Sequence, residues 1–498
     1  MEHLSVLGYS KVNRRTILNK LENYNPKRVF YYFEEITKIP RASFNEDKIA
    51  TWLVDFAKEH RLDYTRDSHD NVIIRKPGTE GYELSPTLII QGHMDMVCEK
   101  SEISNINFDT DPIEFTVEDG KIIAHETTLG ADNGIAVAMA LAILESDDIE
   151  HPPLEVLITS NEESGMTGAS NLDGSILQGK MLLNLDSETE GVACIACAGG
   201  RRDVLTFKKD FKEISKGRAF YELSISGLKG GHSGQEIQKG LGNSNKLLAR
   251  ALYELRDNID LVDISGGAKP NAIPRYAKAI IAVDENELVE IQKKVIILNR
   301  DYVKEFGNTD PDVRLNFEAT SIYDKALKDE LAERIVQALL ILPNGVQSMS
   351  NDIEGLVGSS INVGVIESDD DEIRILTNIR SALTSLKNEI GIRNLEIAKL
   401  VGATYEIKND YPAWEYKANS PLREVAIKVY RELNKKDLEL EAIHAGLECG
   451  IFKDTIGDID MLSIGPNIRG PHAPGENLEI ASTERVYEFV KQILKNLK

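Results

Sequence analysis

The sequence predicts an α/β fold in which a mostly parallel sheet carries helices on both of its faces. Three short apolar runs, at 87–95, 154–160 and 181–185, have the composition of buried strands, and helical stretches lie between them. Each run leads into histidine or carboxylate side chains. Because open α/β sheets bind ligands beyond the carboxyl ends of their strands, these three positions are the first candidates for a functional site.

The first run breaks on a glycine and ends in His93 and Asp95. We interpret His93 as a metal ligand and Asp95 as the carboxylate that orients its ring, because a metal-binding imidazole is normally held by an acceptor on its other nitrogen. A histidine and an aspartate at a strand terminus are more often a plain polar cap. The pair alone therefore leaves both interpretations open.

The other two runs also end in acids. The second leads into Glu162 and Glu163, and the third leads into Asp186. Acidic groups gathered at neighbouring strand ends repel one another unless a cation or a proton lies between them. The three strand ends together favour a bound metal, which supplies the missing positive charge.

Two further candidates lie outside these strands. Asp132 precedes an apolar stretch at 135–144 that we predict to be a buried helix, and it falls at the N-cap position. The helix dipole favours the ionised carboxylate that a metal needs, although capping alone explains an aspartate equally well. His472 lies in a Gly/Pro-rich loop ahead of a final helix predicted at 482–496, where an ordinary surface histidine is the commoner alternative.

The candidate ligands combine imidazole and carboxylate groups without a thiolate. This chemistry favours zinc, with manganese or cobalt as less favoured substitutes. Five ligands with a bridging Asp132 suit two divalent ions about 3.5–4 Å apart, the arrangement of two-metal hydrolases. The predicted ligand set is His93, Asp132, Glu163, Asp186 and His472.

Eight motifs in the chain resemble those of the aminoacyl-histidine dipeptidases, also called Xaa-His dipeptidases or bacterial carnosinases, in the dizinc aminoacylase and carboxypeptidase superfamily. They follow the family's order along nearly the whole chain: GHMDMV, LGADNGIA, ITSNEESGMTGA, LLNLDSE, GGHSG, NAIPR, HAGLECG and GPHAPGE. The resemblance implies that His93 and Asp186 hold one zinc ion. Glu163 and His472 would hold the second, and Asp132 would bridge both.

Glu162 is the general base that the resemblance implies, with Asp95 steadying His93. Adjacent acids that leave one strand end point in different directions, so Glu163 can bind metal while Glu162 faces the metal-bound water. Metal coordination brings the pKa of that water towards about 7, and a nearby carboxylate can pass its proton to the departing amine. The alternative is that the two glutamates form a solvated acidic turn.

The chain is predicted to contain a discontinuous domain. Because His472 is needed beside ligands from the first 200 residues, the middle of the chain must be an insertion. We assign 1–201 and 411–498 to a mostly parallel-sheet zinc-peptidase catalytic domain and 202–410 to an inserted α+β lid domain. In the catalytic domain, helices are predicted near 27–37 and 44–59, the second opened by a Ser43-x-x-Glu46 capping box.

The insert alternates strands and helices. The predicted strands lie at 220–226, 277–283 and 371–377, and the predicted helices lie at 244–256, 285–306, 330–342 and 383–400. A further helix is predicted at 421–433, after the insert.

The resemblance further implies that the lid contacts the substrate. His232, in a glycine-rich segment, would polarise the scissile carbonyl as negative charge develops on it. Asn271 would supply an amide hydrogen bond, and Arg380 would bind the substrate's C-terminal carboxylate as a fork. The alternatives are a turn residue for His232 and a solvated side chain for Arg380.

The HAGLECG motif is expected to return the chain to the site after the insert. Gly446 and Glu448 would touch the free amino end of the substrate, and His444 is a further candidate. The Glu448 carboxylate would pair with the ammonium group at the amino end of a dipeptide. Glu448 could equally be a structural acid.

Composition excludes several other classes of function. The net charge of −23 argues against nucleic acid or an anionic membrane surface as a partner, and no apolar run approaches the roughly 20 residues that cross a bilayer. The first 15 residues lack a secretory signal, so we expect a cytoplasmic protein. Of the four cysteines, Cys194 and Cys197 form a CxxC without a second pair, and structural thiols are the favoured interpretation.

The sequence thus predicts metal-dependent hydrolysis of dipeptides with a free amino terminus, of the Xaa-His (carnosine-like) type with broad specificity. A metal-bridged water would attack, with Glu162 as general base. The expected partner is a small peptide substrate. A homodimer that forms through the lid domain is a further possibility. The alternatives are another amidase on the same scaffold, such as a tripeptidase, an aminoacylase or a carboxypeptidase, and a non-catalytic metal-binding relative.

Overall fold

The structure is a computed structural model that describes residues 20–498. The segment in which no secretory signal was found, residues 1–15, lies outside the described residues. The chain forms two compact units. Unit 1 comprises the described part of Met1–Ser164 together with Leu185–Glu190 and Ile464–Lys498, and unit 2 comprises Gly165–Asn184 and Gly191–Ser463.

The α-helices in the described residues are, in chain order, α1 (Lys27–Ile36), α2 (Asp47–Glu59), α3 (Ala131–Glu145), α4 (Thr167–Ser170), α5 (Ser244–Leu255), α6 (Leu288–Phe306), α7 (Asp329–Ile341), α8 (Thr384–Leu400), α9 (Pro421–Asn434), α10 (Glu448–Thr455) and α11 (Ile480–Asn496).

The strands are β1 (Asp63–Arg66), β2 (Val72–Lys76), β3 (Leu88–His93), β4 (Thr116–Glu118), β5 (Lys121–Ile123), β6 (Leu154–Thr159), β7 (Met181–Asn184), β8 (Val192–Cys197), β9 (Gly199–Lys208), β10 (Phe211–Glu213), β11 (Arg218–Ser226), β12 (Gly231–His232), β13 (Ile259–Gly266), β14 (Ala272–Ile273), β15 (Ala277–Asp284), β16 (Arg314–Ala319), β17 (Lys325–Leu327), β18 (Gly345–Met349), β19 (Val357–Ser368), β20 (Glu372–Ser381), β21 (Thr404–Tyr411), β22 (Glu439–Ile443), β23 (Asp460–Ser463), β24 (Ile468–Arg469) and β25 (Asn477–Glu479).

Unit 1 is built on strands in the order β1-β2-β6-β3. The inner strands β3 and β6 are parallel and fully buried, whereas β1 and β2 are antiparallel to their neighbours. Helix α3 is apolar on all sides and packs against α1 and β3, which confirms the buried helix predicted at 135–144. A second sheet, β24-β25-β5-β4, carries the His472 loop between its first two strands.

Unit 2 contains a nine-stranded sheet in the order β16-β11-β15-β13-β19-β20-β9-β21, with β18 also paired to β19. All its pairings are antiparallel, and helices α5, α6, α7 and α8 supply apolar side chains to the same core. A separate strand set, β7-β23-β8-β22, contains the parallel pairs β7–β23 and β8–β22. The α/β class is confirmed, but the pairing is mixed: β3–β6, β7–β23 and β8–β22 are parallel, whereas β1–β2, β2–β6 and β8–β23 are antiparallel.

The predicted domain boundaries at residues 202 and 410 stay a prediction. Both positions lie inside strands of unit 2, namely β9 and β21, so the compact units have other limits than the predicted domains. The predicted strands and helices of the insert are all present, with bounds that differ by a few residues.

The predicted capping box at α2 is wrong. The helix begins at Asp47 after Glu46, and no side chain caps it. Ser43 Oγ instead donates to Asp95 Oδ2 (2.8 Å), and Glu46 Oε1 accepts from the Asn161 amide (3.0 Å). The two residues that matched the capping pattern are held by distant partners instead of by the helix end.

The four cysteines are free thiols, and three of them are buried. Burial raises the pKa of Cys197 to about 11, so this member of the CxxC stays protonated near neutral pH. Among residues 20–498, none of the helices combines the length and the apolar character that crossing a bilayer requires.

Candidate metal centre

His93 is the last residue of β3, and Asn133 fixes it between neighbouring segments. The side-chain oxygen of Asn133 accepts a hydrogen bond from the His93 amide (3.1 Å), and its nitrogen donates to the Leu185 carbonyl (2.9 Å). A Cβ atom at Gly92 would collide with Asn133 Oδ1, so glycine is required for this close approach. Asn133 therefore holds the end of β3 beside the segment that continues into Asp186.

Asp95 is a fully buried acceptor beneath the site. Its Oδ1 lies 3.2 Å from His93 Nδ1, within reach of a proton on that nitrogen. The backbone amides of Glu162 and Glu163 donate to its two oxygens at 3.0 and 3.2 Å, and Ser43 Oγ donates to Oδ2 at 2.8 Å. One carboxylate thus fixes both the imidazole and the turn that carries the two glutamates.

The five residues predicted as metal ligands lie together in unit 1. His93 Nε2 is 3.3 Å from Asp132 Oδ1 and 3.5 Å from Asp186 Oδ1. His472 Nε2 is 3.2 Å from Asp132 Oδ2 and 3.1 Å from Glu163 Oε1. The two oxygens of Asp132 therefore face two different imidazoles.

These side chains fit a pair of divalent cations. Donor atoms placed tetrahedrally around zinc at about 2.0–2.1 Å are roughly 3.3 Å apart. The separations between the imidazole nitrogens and the carboxylate oxygens of the cluster range from 3.1 to 3.5 Å. Glu163 Oε1 is buried and lies 3.1 Å from His472 Nε2, a separation at which both atoms can be ligands of one ion. The donors form three overlapping groups whose atoms lie within 4.8 Å of one another: His93, Asp132 and Asp186; His93, Glu162 and Glu163; and Asp132, Glu163 and His472.

Carboxylates outnumber cations in this cluster, and the pKa values reflect the imbalance. Asp132 and Glu163 raise the pKa of His472 to about 11. Burial disfavours the cation of His93, but Asp186 and Asp132 outweigh it and raise the pKa of His93 well above its usual value. Burial raises the pKa of Asp186 to about 6. Asp132 is buried too, yet both histidines hold its pKa below its usual range.

Two local details differ from the sequence interpretation. Asp132 is not an N-cap: α3 begins at Ala131 after Gly130, and Asp132 itself has an extended backbone (φ −79°, ψ 107°) that turns its side chain towards the histidines. The two glutamates do not leave the strand directly. They follow Asn161, whose φ of 52° starts a turn and suits an asparagine.

Sequence reasoning missed several side chains that support the site. Buried Arg41 donates to the carbonyls of Met94, Asp95 and Gly130, and buried Glu476 accepts four backbone amides. Glu188 lies close enough to the cluster that burial and nearby acids raise its pKa to about 7. Arg41 lies outside the eight motifs, whereas Glu188 and Glu476 are the last residues of LLNLDSE and GPHAPGE. Their place in these motifs was the available signal.

Three predicted substrate residues lie together in unit 2. A Cβ atom at Gly234 would be 3.0 Å from His232 Cε1, 3.2 Å from Arg380 Nε and in collision with the His444 carbonyl, so the missing side chain lets these three groups converge. Burial, aided by the positive charge of Arg380, lowers the pKa of His232 and lowers that of His444 to about 3. Both imidazoles are therefore neutral near pH 7.

Hydrogen bonds set the orientation of these rings. The Gln235 amide donates to His232 Nδ1 (3.1 Å), so the proton of the neutral ring is on Nε2. Ser360 Oγ lies 2.7 Å from His444 Nε2, and Arg380 Nη1 lies 3.5 Å from Tyr411 Oη. Sequence reasoning missed Ser360 and Tyr411, which lie outside the motifs.

The remaining predicted residues also belong to unit 2. Asn271 accepts a hydrogen bond from the Ser233 amide through its carbonyl (2.9 Å) and shares a cavity of about 780 Å³ with His232. A Cβ atom at Gly446 would meet the Tyr411 ring at 2.8 Å, and Glu448 is the fully buried first residue of α10.

Comparison with known proteins gives a consistent result. The family description "Peptidase family M20/M25/M40" matches residues 89–496. The cytosol non-specific dipeptidase of Escherichia coli is 38% identical over 483 residues, which cover 96% of this chain and 99% of that protein. The crystal structure of aminoacylhistidine dipeptidase from Vibrio alginolyticus has a TM-score of 0.88 at 36% identity and covers 95% of this chain and 97% of its own. Aminopeptidase PepT from Bacillus cereus, with a TM-score of 0.55 at 16% identity over 95% of this chain and 99% of its own, shares the fold.

Zinc binding to the metal-free protein at pH 7 should release about two protons per chain, because both imidazoles must be neutral to bind metal. Because the pKa values of His93 and His472 are raised, their imidazolium–carboxylate pairs also stabilise the metal-free fold. This stabilisation is complete below pH 6.5, the pKa of an unperturbed histidine. For His472, this contribution is lost as the pH rises through about 11. Calorimetric titration in two buffers with different ionisation heats measures the release. We expect about one proton fewer for His472→Gln and no change for His125→Gln, which alters an exposed histidine outside the cluster; binding without proton release would contradict the prediction.

Proposed function

The chain belongs to peptidase family M20/M25/M40, and from this premise we propose that it hydrolyses dipeptides with a free amino terminus in a metal-dependent reaction. The observation that carries the proposal is Asp132, whose two oxygens face His93 and His472 beside the Glu162–Glu163 turn. The names of two relatives that match nearly the whole chain, a non-specific dipeptidase and an aminoacylhistidine dipeptidase, support dipeptides as substrates.

The metal-holding residues follow from the distances. His93 and Asp186 would hold one ion, Glu163 and His472 the second, and Asp132 both. Mixed nitrogen and oxygen donors favour zinc, with manganese or cobalt as alternatives. Such ions, when bound, lower the pKa of a water molecule and polarise a carbonyl group.

Glu162 is the proposed general base. Its backbone amide is tied to Asp95, and its carboxylate approaches His93 and Glu163 within 4.8 Å. A carboxylate held there can take a proton from the attacking water and pass it to the nitrogen of the leaving amino acid. Because Asp95 also accepts the Glu163 amide, the backbones of Glu162 and Glu163 are held in fixed positions relative to each other.

Glu162→Gln should lower kcat by about 10²- to 10⁴-fold with unchanged metal content, since an amide cannot accept the proton. Glu163→Gln is the matched comparison, because it alters the adjacent acid of the same turn but removes a ligand; it should lose bound metal. Elemental analysis and steady-state kinetics on the same preparations measure both effects. Glu162→Gln with near wild-type turnover would remove Glu162 from the role of base.

The substrate contacts proposed from unit 2 begin with Arg380. This side chain is buried, and within residues 20–498 its Nε has no hydrogen-bond partner. A buried guanidinium without a carboxylate partner suits a ligand that brings its own, such as the C-terminus of a dipeptide. His232, which carries its proton on Nε2, would donate this proton in a hydrogen bond to the scissile carbonyl oxygen.

The other substrate contacts rest on the family resemblance. Asn271 would donate to the peptide, and Gly446 and Glu448 would lie at its amino end. We propose residues 202–410 as the lid that brings most of these groups to the substrate.

A substrate panel tests both the reaction and the role of Arg380. Xaa-His dipeptides should be cleaved faster than N-acyl amino acids or tripeptides, and chelation of the metal should abolish activity. Arg380→Met should lower kcat/KM for a dipeptide about 10- to 100-fold but hardly affect the corresponding dipeptide amide, which lacks the carboxylate. Arg374→Met is the control, since Arg374 lies on the same strand but pairs with Glu367, Asp369 and Glu372.

The panel also separates the alternatives. Preferred cleavage of tripeptides or N-acyl amino acids would favour another amidase on this scaffold. A protein that binds metal but hydrolyses none of these amides would instead be a binding relative.

We also propose that the protein is a homodimer that pairs through α6. Val289, Ile296 and Val303 recur every seventh residue and are 62%, 69% and 41% exposed, while the opposite face of the helix is buried. Seven-residue spacing keeps side chains on one stripe of a helix. Helix α6 packs beside β16, the edge strand of the nine-stranded sheet, so a second copy could cover both.

Ile296→Glu should convert the dimer to a monomer, because it places a charge in the centre of the apolar stripe. Sedimentation velocity measures the mass of each form. Ile392→Glu is the control, since Ile392 is equally exposed but lies on α8. A wild-type protein that sediments as a monomer, or a dimer untouched by Ile296→Glu, would contradict the proposed interface.

The proposed location is the cytoplasm. The relative from Escherichia coli is named a cytosolic enzyme, and the four cysteines of this chain are free thiols. The net charge of −23 disfavours nucleic acid as a partner, so a small peptide is the partner that the proposal requires.

A further inference from the structure

Glu476 is a buried acid that the reaction does not use directly. Its Oε2 accepts the amides of Leu129 (2.6 Å) and Gly130 (2.9 Å), and its Oε1 accepts those of Ala131 (2.8 Å) and Asp132 (3.2 Å). Four consecutive amides therefore converge on one carboxylate. Charge-assisted hydrogen bonds of this kind are roughly twice as strong as neutral ones.

The same residue ties the Asp132 segment to the His472 loop. The Glu476 carbonyl accepts the Ala124 amide (3.2 Å), and the Gly475 amide donates to the Ala124 carbonyl (2.9 Å). Four residues earlier, His472 Nε2 reaches Asp132 Oδ2. Side chain and backbone of one residue thus join two segments that are more than 300 positions apart in sequence, and each segment carries a ligand.

Arg41 holds the same segment from its other side. Its Nη2 donates to the Gly130 carbonyl at 2.5 Å, and its Nη1 donates to the carbonyls of Met94 and Asp95, both at 2.9 Å. A Cβ atom at Gly130 or at Gly134 would collide with the guanidinium. The amides of residues 129–132 therefore donate to the Glu476 carboxylate, and the Gly130 carbonyl accepts from the Arg41 guanidinium. These contacts restrict the backbone of the segment on both sides.

The carboxylate of Asp132 needs these contacts to keep its position. Asp132 must present one oxygen to each imidazole, although the nearby carboxylates repel it. A small rotation of the backbone at Asp132 would bring the carboxylate closer to one imidazole and move it away from the other. Glu476 resists this rotation because it binds the amide of Asp132 itself.

We propose that Glu476 is a positioning residue that fixes Asp132 between His93 and His472 before any metal binds, with Arg41 as its counterpart on the opposite side. The inference rests on the proposed metal centre and deepens it. Glu476 does not touch the metal, the substrate or the reacting atoms. Its loss acts on the affinity of the site for metal and, through metal, on turnover.

Glu476→Gln tests the proposal, because the amide keeps the size of the side chain but offers one acceptor oxygen and points an NH₂ group at the remaining backbone amides. We expect zinc affinity to fall about 10- to 100-fold in a chelator competition, as is typical when a partner of a metal ligand is lost. Excess zinc should restore kcat at an unchanged KM. A role in folding alone would not give this rescue.

Glu479→Gln is the matched control. It removes the same charge three residues further along, but Glu479 bonds Asn467 and Arg485 rather than the Asp132 segment. We expect wild-type zinc affinity for this variant. Equal affinity in Glu476→Gln and wild type would overturn the proposal, as would an activity loss that excess zinc does not restore.

A second measurement does not depend on any variant. In the metal-free wild-type protein, the amides of residues 129–132 should exchange with deuterium slowly, because Glu476 already accepts them. Exchange at the rate of an unprotected loop would overturn the proposal even if Glu476→Gln fails to fold. Wild-type protein that binds no zinc at all would refute the proposed function instead, so the two failures are distinguishable.

Discussion

The repulsion among the carboxylates of unit 1 is the constraint on which the rest of the structure depends. Asp132, Glu162, Glu163 and Asp186 share a space in which their donor atoms come within a few ångströms of two imidazoles, and Asp95 and Glu476 lie directly behind them. Such a group is stable only if every negative charge has a donor. The fold meets this requirement in two layers. The inner acids, Asp95 and Glu476, are bound by backbone amides, and three of the outer acids, Asp132, Glu163 and Asp186, face imidazoles.

This layering explains why strand ends and loops, rather than a single rigid element, build the site. Backbone amides are available to an acid only where they are not used in a helix or a sheet, that is, in turns and at helix starts. The Glu162–Glu163 turn gives its amides to Asp95, and the first residues of α3 give theirs to Glu476. The buried strands β3 and β6 and the buried helix α3 hold these ends in place through apolar packing. Apolar packing therefore fixes the backbone positions from which amides donate to the clustered acids.

The apolar runs predicted β3, β6, β7 and α3 because burial on all sides leaves a plain signal in the sequence. The candidate ligands could be named for the same reason: His93, Asp186 and the two glutamates follow such runs, and Asp132 precedes the apolar helix. His472 was named from its Gly/Pro-rich loop, and the motif resemblance then joined all of these residues into one site. The supporting residues could not be found in this way. Ser43 and Glu46 fit a helix cap equally well as a local pattern, and only the three-dimensional structure shows that Asp95 and the Asn161 amide lie closer. Arg41 and Glu476 make their contacts through backbone atoms of distant residues, which leave no trace in side-chain spacing.

The cluster in unit 2 offers the opposite chemistry. Arg380 carries a positive charge into a buried place, and that charge helps to keep His232 and His444 neutral by lowering their pKa values. Neutral imidazoles can donate one proton and accept another, so this cluster offers hydrogen-bond donors without a second full charge. A free dipeptide carries an ammonium group, a carboxylate and a neutral amide. The guanidinium of Arg380 complements the carboxylate, and the neutral imidazoles of His232 and His444 complement the amide, which can both donate and accept a hydrogen bond. The side chains of unit 2 therefore fit a peptide that ends in a free carboxylate better than one whose carboxylate is blocked.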